Sequence, residues 1–346
     1  AFNSATTEYS CTVKNNISSV TVNATATSSK AKVRGLGAKD LVEGKNTLPI
    51  RVIAEDGSEK IYNVNARRIA GIASSIKIFG KTFKVIDAEP TLTTSSNNTN
   101  DESGLYASTA TNTGNPTYYF RGNVENNYVS FAGQIWRIVR VNEDETIRMV
   151  MTNGINNNTK YAFNSNNYYT YMYYSNSGAK KQLDAWYQAN IGSKTNLASK
   201  VVSGNYYCEQ AKVKRDSSWT AGNASMTIYS SYTPGFKCES DGNNKGIVNG
   251  SIGLLTYDES IYAGGYYKNY GQLNTNYYLY NSNIYWWMMS PFGFDIHSSV
   301  WRGGINGDIN GSYIDTPCSL RPVINLKSSV QILSGDGTKD NPFVVE

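Results

Sequence analysis

Apolar side chains recur at every second position in four short stretches of the first 66 residues. A period of two is typical of β-strands with one buried face, because successive side chains point to opposite sides of a sheet. The stretches cover residues 9–13, 20–24, 48–54 and 62–66. Asp56-Gly57 indicates a hairpin between the last two, since both residues tolerate a positive φ. The pattern predicts a small β-sandwich, and Pro49, which has no amide donor, predicts that its strand is an edge or begins there.

Three motifs in this stretch carry a resemblance. They are Glu-Tyr-Ser-Cys-Thr-Val from residue 8, Leu-Val-Glu-Gly-Lys-Asn from residue 41 and Ala-Glu-Asp-Gly from residue 54, followed by Tyr62 and Arg67-Arg68. Residues 1–69 thereby resemble the bacterial cadherin-like β-sandwich repeat. The resemblance implies a spacer in a cell-surface protein without catalytic chemistry. The strand that normally precedes Phe2 is missing, so we expect that sheet edge to be incomplete or covered differently.

Residues 70–117 are expected to form a hairpin followed by a polar linker. The segment 76–85 predicts the hairpin. Residues 90–117 are rich in Thr, Ser and Asn and cannot bury enough apolar surface to fold alone. They either drape over the next domain, with Leu105 and Tyr106 as anchors, or stay mobile.

The remaining residues, 118–346, combine strand patterns with short helices. A helix is expected at 177–187, where Ser177 can cap the N-terminus and Leu183 and Trp186 share one face. The other expected elements are strands at 118–123, 128–141, 146–150 and 252–256, a helix at 195–202 and a helical turn at 257–260.

Four further motifs fall in this second region. They are Phe-Ala-Gly-x-x-Trp-Arg-Ile-Val from residue 131, Leu-Leu-Thr-Tyr-Asp-Glu from 254, Trp-Trp-Met-Met-Ser-Pro from 286 and Leu-Arg-Pro-Val-Ile from 320. From about residue 118 to 330 the chain resembles C-type-lectin-fold domains related in architecture to formylglycine-generating enzymes, in the version found in surface proteins of Gram-positive Firmicutes. The expected fold class is mainly β / α+β: an N-terminal β-sandwich and a C-type-lectin-like domain with one or two helices and long loops.

The four cysteines show no Cys-x-x-Cys spacing that would indicate a zinc or redox site. We expect a disulfide between Cys208 and Cys238, because both lie in polar, Tyr-rich and Gly-rich sequence where a bridge lowers the entropy of the unfolded chain. Cys11 and Cys318 lie in apolar strand contexts and are expected to be buried thiols. A bond between these two stays an alternative.

The composition narrows the classes of partner. The net charge is +5, and the 32 Lys and Arg residues are scattered among 27 Asp and Glu, so no basic stripe indicates a nucleic-acid partner. No stretch reaches the ~20 apolar residues that span a bilayer, so we expect no direct membrane insertion. A charged fraction of 17% with many Tyr, Asn, Ser, Thr and Gly residues is typical of β-rich secreted or surface proteins.

The sequence offers little for catalysis. The one histidine, His297, lies in a polar loop, and we interpret it as an ordinary loop residue rather than a base. Asp258 and Glu259 could be the carboxylate pair of a glycosidase, yet acids at a helix start more often stabilise the helix dipole. The cysteines lack the close pairing that a copper-binding formylglycine-type site needs. We therefore expect neither enzymatic activity nor a cofactor, with calcium at Asp308 or Asp336 as an alternative.

The best candidate for recognition is the segment 292–315. Aromatic rings and an arginine are interspersed there with Gly and Asn, a composition typical of interface hot spots and antibody paratopes. Whether Trp301 and Phe292 instead fill the core stays open, as does a stacking role for the tyrosines of 168–174, which we expect to be half-buried cladding. The predicted solvent-facing surface consists of Phe292, Phe294, Asp295, His297, Trp301, Arg302, Asn306, Asp308, Asn310 and Tyr313.

These features predict an extracellular, surface-attached adhesin or ligand-binding protein. Its partner is expected to be a host or bacterial surface glycan or protein, bound by the lectin-like domain. One alternative is a structural envelope or fibre component without a specific ligand. The other is a polysaccharide hydrolase.

Overall fold

The computed structural model describes residues 2–90, 92, 101–166, 172–209, 234–238, 247–266, 273–294 and 297–345. The chain divides into two compact units. The first comprises Ala1–Ile72 and Thr113–Pro116, and the second comprises Ala73–Asn112 and Thr117–Glu346. The fold is mostly β, with several sheets and few helices, which confirms the predicted mainly β class.

Six strands build the first unit. They are β1 (Glu8–Val13), β2 (Ser19–Val22), β3 (Lys32–Arg34), β4 (Gly37–Asp40), β5 (Gly44–Ile53) and β6 (Glu59–Arg68). One sheet has the order β1-β6-β5-β3, and β2 pairs with β4. The buried core consists of Val22, Leu41, Leu48 and Ala66, so the period-two pattern places one apolar face inward as predicted.

The hairpin between β5 and β6 confirms the Asp56-Gly57 signal. Gly57 has a φ of 84°, and the Asp56 carboxylate accepts a hydrogen bond from the Ser58 amide at 2.9 Å. The prediction for Pro49 is wrong, because β5 starts before it and lies between β6 and β3. The missing donor is tolerated because the pairing of β3 with β5 ends at Arg51, so Pro49 has no ladder partner on that side.

Among its described residues, the second unit contains sixteen strands: β7 (Ser75–Ile78), β8 (Lys81–Lys84), β9 (Gly104–Ser108), β10 (Thr117–Arg121), β11 (Tyr128–Phe131), β12 (Gln134–Val141), β13 (Ile147–Met151), β14 (Lys160–Tyr161), β15 (Asn205–Cys208), β16 (Ile247–Gly250), β17 (Trp286–Phe294), β18 (Ser298–Gly303), β19 (Ile309–Tyr313), β20 (Cys318–Ser319), β21 (Val323–Leu326) and β22 (Phe343–Val345). A seven-stranded sheet has the order β21-β13-β12-β10-β9, with β11 paired to β12 and β22 paired to β11. A five-stranded sheet has the order β14-β20-β17-β18-β19, and β7-β8 and β15-β16 form two-stranded sheets.

The predicted linker at 70–117 is divided between the units. The hairpin is present as β7 and β8, and β9 pairs along its whole length with β10. Leu105 and Tyr106 are buried in β9 and anchor the segment as predicted. Residues 73–112 therefore belong to the second unit, because β9 buries two large side chains and completes a sheet, while 113–116 belong to the first.

In the part of the chain that the structure describes, four short helices accompany these sheets. They are α1 (Ile155–Asn158), α2 (Gly178–Tyr187), α3 (Thr195–Ala198) and α4 (Tyr257–Tyr262), with a 3-10 turn at Tyr174–Asn176 and a π-helical turn at Gln188–Gly192. The predicted cap of α2 is confirmed: the Ser177 hydroxyl accepts a hydrogen bond from the Lys180 amide at 3.0 Å.

Two predicted elements are shorter than expected. The helix at 195–202 ends at Ala198, because Val201 leaves it to form a bridge with Leu326. The strand at 252–256 is reduced to one bridge between Gly253 and Val323. Leu254 and Leu255 are buried there without joining a ladder.

The cysteines follow the predictions in part. Cys208 and Cys238 form a disulfide, as expected. Cys318 is a buried free thiol in β20. Cys11 is an exposed free thiol, so its predicted burial is wrong; it lies in β1, the edge strand of its sheet.

Candidate functional site

Most of the predicted recognition surface falls on β17, β18, β19 and the turn that joins the last two, while Asp295 and His297 come between β17 and β18 in the sequence. These strands pair antiparallel, with Trp301 opposite Gly311 and Arg302 opposite Asn310. Successive side chains of a strand point to opposite faces. Trp301 and Arg302 therefore cannot belong to one surface, and the predicted set is divided by the sheet itself.

Trp301 lies in the core, with 2% of its surface exposed. Its indole stacks on the Tyr257 ring at 4.0 Å between centroids, and the Phe292 ring meets it edge-on at 4.6 Å. Phe292 is half-buried and lies over Gly311, where any side chain would collide with its ring. The prediction that Trp301 faces solvent is wrong, because α4 covers this face of the sheet.

Arg302, Asp308 and Asn310 are also buried, so their predicted exposure is wrong as well. The Arg302 guanidinium lies 4.3 Å from the centre of the Tyr285 ring. All six residues of β18 are buried, which shows that the strand is covered on both faces. A strand covered on both sides cannot present its polar side chains to a ligand.

Asn306 is half-buried in the turn between β18 and β19, and its carbonyl accepts a hydrogen bond from the Asn274 amide at 2.8 Å. Tyr313 lies at the opposite end of β19, where it pairs with Ser299. The strand from Ile309 to Tyr313 separates the two by more than about 13 Å, at about 3.3 Å per residue. Asn306 therefore does not extend the surface around Tyr313.

Three predicted residues remain accessible together, and we call them the Tyr313 surface: Phe292, His297 and Tyr313. Tyr313 is 48% exposed, and its ring centroid lies 5.2 Å from that of the half-buried His297 imidazole. The side chain of Phe294 and all of Asp295 lie outside the described residues. So do residues 168–171 of the tyrosine cluster, whereas Tyr173 and Tyr174 are fully buried rather than half-buried.

A buried ion cluster was missed by the sequence reasoning. Glu259 lies in the first turn of α4 and forms a capping box with Thr256, whose hydroxyl accepts a hydrogen bond from the Glu259 amide at 3.1 Å. The Glu259 Oε1 atom lies 2.5 Å from Arg148 Nε and 3.3 Å from Arg140 Nε. The dipole role expected from the helix start is present, but the carboxylate also neutralises two arginines from the neighbouring sheet.

Electrostatics keep Glu259 ionised. Burial is the largest single influence and raises the pKa of its carboxyl, but the charges of Arg148 and Arg140 and the hydrogen bonds from Thr256 and Arg148 together lower the pKa overall. A covered carboxylate held in two ion pairs is a poor proton donor. The neighbouring Asp258 is buried, and its Oδ2 accepts a hydrogen bond from the Gly235 amide at 3.2 Å. This pair gives the hydrolase alternative no support.

Other arginines of the second unit bind backbone carbonyls in the interior. Arg321 donates to Met151 O at 3.0 Å and to Leu279 O at 2.8 Å. Arg137 donates to Val124 O at 2.6 Å. These bonds satisfy carbonyls that would otherwise be buried without a partner. Their signal in the sequence was an arginine inside an apolar run, which indicates a buried guanidinium rather than a binding residue.

In the described part of the chain, no three His, Cys, Asp or Glu side chains form a group that could hold a metal ion. Asp308 is buried, and the Asp336 carboxylate accepts hydrogen bonds from Thr338. Helices long and apolar enough for a membrane crossing are likewise not found among the described residues.

Residues 1–69 match a family described as the Cadherin-like beta sandwich domain. The match spans β1 to β6 and confirms the predicted cadherin-like region. Comparisons of the chain with curated proteins and with solved structures gave no significant match. The N-terminal part of the chain is thus cadherin-like, and such a domain indicates a role in cell-surface adhesion or structure.

Proposed function

We propose that this protein is an extracellular, surface-attached binding protein that recognises a glycan or a protein through the Tyr313 surface. The first unit serves as a spacer, and no catalysis is involved. The observation that carries the proposal is the exposed Tyr313 ring held against His297, at the end of the strand that pairs with the fully buried β18. An exposed aromatic ring with a polar hydroxyl is a favourable contact for sugars and for protein hot spots alike.

Packed aromatic rings lie behind Phe292, one member of this surface. Phe292 is braced by the edge-on contact with Trp301, which in turn stacks on Tyr257. Because the rings beneath are already fixed, binding here costs little additional side-chain entropy. The buried part of the predicted set thus positions the accessible part.

We propose a C-type-lectin-like architecture for the second unit, of the kind found in Firmicutes surface proteins. The four sequence motifs that carry the resemblance lie in β11 to β12, α4, β17 and the segment from Leu320 into β21. Their large apolar members are buried, including Trp136, Trp286 and Trp287. The motifs therefore belong to the core, which supports a resemblance in fold and adds nothing on ligand identity.

A structural envelope or fibre role is the second candidate. It is favoured by apolar residues that the first unit leaves in solvent: Phe2 is 72% exposed and Val42 is 68% exposed. Such residues beside an open edge strand could contact neighbouring copies.

The test is a glycan and protein array probed with the intact chain, followed by affinity measurements on the ligand it finds. Tyr313→Ala should cost about 2 kcal/mol of binding free energy, or roughly 30-fold in Kd, as loss of a hot-spot residue does. Phe2→Ala is the matched control, since it removes an exposed aromatic ring from the first unit.

Unchanged affinity in Tyr313→Ala would move recognition away from this surface. A chain that binds nothing on the arrays but self-associates with rising concentration would favour the structural role.

A further inference from the structure

A groove of about 530 Å³ opens on the second unit, between the end of α2, α3 and the residue that follows β21. Its volume lies within the range of about 300–1,000 Å³ that small-ligand sites occupy. None of its lining residues belongs to the Tyr313 surface. The lining residues that carry the argument are Tyr187, Gln188, Thr195, Ser199, Ser203 and Lys327.

The walls of the groove are held by the fold. Leu183 and Trp186 bury one face of α2 in the core. The segment after α3 is bonded to β21 and its continuation: the Val202 amide donates to Asn325 O at 2.9 Å, and the Lys327 amide donates to Lys200 O at 2.9 Å. A ligand would therefore meet a preformed site rather than mobile loops.

A π-helical turn shapes one wall. The Ser193 amide donates to Gln188 O at 3.0 Å, a five-residue step that widens the end of α2. At Gly192 a Cβ atom would lie 2.6 Å from Gln188 Oε1 and 3.1 Å from Tyr187 Cε1. Because Gly192 has no side chain, the Gln188 side-chain amide and the Tyr187 ring can both lie close to its Cα atom. In addition, π-helical turns are frequently found at functional sites.

The lining has the chemistry of a sugar site with one positive charge. Hydroxyls of Thr195, Ser199 and Ser203 and the Gln188 amide offer both donors and acceptors. The Ser199 hydroxyl donates to Asn196 O at 3.0 Å, which leaves its lone pairs to accept from a ligand. The half-buried Tyr187 ring offers an apolar face on which a pyranose can stack.

Lys327 is the single charged side chain in the lining, where no carboxylate opposes it. The ion pairs found within the described ranges do not include it. We propose that this groove binds an anionic saccharide, with the sugar ring against Tyr187 and its carboxylate or phosphate at the Lys327 ammonium. The site gives the second unit a binding function separate from the Tyr313 surface.

Titration calorimetry and ligand-observed NMR on the intact chain test this with four probes. Glucuronic acid and glucose 6-phosphate carry the two kinds of anion, glucose is the neutral match, and inorganic phosphate is the anion without a sugar. We expect at least one acidic sugar to bind roughly tenfold more tightly than glucose, because a charge-assisted hydrogen bond is added. Lys327→Gln should remove that advantage.

The matched control is Lys181→Gln, an exposed lysine on α2 that does not line the groove, and it should leave binding unchanged. Lys327 is exposed, so an unchanged melting temperature verifies the fold of its variant. Equal affinity for glucose, equal affinity for inorganic phosphate, or no binding of any sugar would overturn the proposal. Tyr313→Ala should not alter these affinities, so failure here and failure of the Tyr313 surface are distinguishable.

Discussion

The two units differ in the kinds of side chain that they bury. The first unit has a core of four buried side chains, all apolar. The second unit encloses a large aromatic and aliphatic core and also buries charged groups, among them Arg137, Arg148, Glu259 and Arg321. A small sandwich buries a low fraction of its surface, whereas a larger domain has an interior in which an ion pair can be fully surrounded.

This difference predicts which substitutions should destabilise each unit most. In the first unit the loss of a single apolar side chain removes a large part of the core. In the second unit apolar contacts are plentiful, and the sensitive points are charges that would be left buried without a counter-ion. All six tryptophans of the chain lie in the second unit, so their fluorescence reports on that unit alone.

The largest effect is expected from Glu259→Ala. Removal of the carboxylate leaves Arg148 and Arg140 without their counter-charge, and we expect the free energy of unfolding of the second unit to fall by about 3–5 kcal/mol. Urea denaturation followed by tryptophan fluorescence measures this. Asp340→Asn, which changes an exposed acid of the same unit, is the control and should have no measurable effect.

Leu41→Ala tests how strongly the first unit depends on a single buried apolar side chain. Leu41 is 3% exposed, and its truncation should cost the first unit about 2–4 kcal/mol, a large share of what so small a core can provide. Far-ultraviolet circular dichroism should show an early unfolding step while the tryptophan transition stays in place. Val42→Ala is the neighbouring exposed control, and an early step in that variant too would mean that burial is not the cause.

Acid should weaken the second unit in a way that depends on Glu259. The pKa of the Glu259 carboxyl in the folded protein lies below its ordinary value in an unfolded chain, because the charges of Arg148 and Arg140 favour the ionised form. The stabilisation is therefore complete above that unfolded value and is lost as the pH falls through the folded pKa. The effect is smaller than that of Glu259→Ala, because a protonated carboxyl still occupies its place.

Urea midpoints of the tryptophan transition, measured from neutral pH downward, check this effect. The Glu259→Gln variant should show a shallower dependence on pH than the wild type. Equal dependence in both would assign the acid sensitivity to other groups.

The smallest effect is expected for the reactivity of the two free thiols, Cys11 and Cys318. Cys11 is exposed in the first unit, whereas burial raises the pKa of the Cys318 thiol in the second to about 11, against the weaker opposing effects of Arg302 and Lys160. Without reductant, a colorimetric thiol reagent should react with one thiol in the folded chain and with two after denaturation. Cys11→Ser should abolish the folded-state reaction, and persistent labelling would show that Cys318 is accessible.

Local signals predicted local structure well. Asp56-Gly57 specified its hairpin through the glycine's positive φ, and Ser177 specified the start of α2 through its hydroxyl. Such signals act between residues close in sequence, so the chain reveals them without a structure. The separation of Cys208 from Cys238 is 30 residues, and their pairing was still predictable from the shared loop composition.

The candidate site was predicted only in part, because exposure depends on partners distant in sequence. Trp301 looked like a hot-spot residue, but the ring that covers it belongs to Tyr257. Arg302 was predicted to bind because arginine is typical of interface hot spots. It directly follows Trp301 in β18, so its side chain points to the opposite face of the sheet, which is also covered. Glu259 was interpreted from its helix start alone, since nothing near it in sequence indicates Arg140 or Arg148.

The central claim is that the second unit binds the ligand and the first unit serves as a spacer. Hydrogen exchange on the intact chain, with and without a ligand identified on the arrays, tests it most directly. Protection by the ligand is expected in the peptides that contain β17 to β19, with residues 1–72 unchanged. Protection confined to residues 1–72, with β17 to β19 exchanging as in the free chain, would contradict this division of roles.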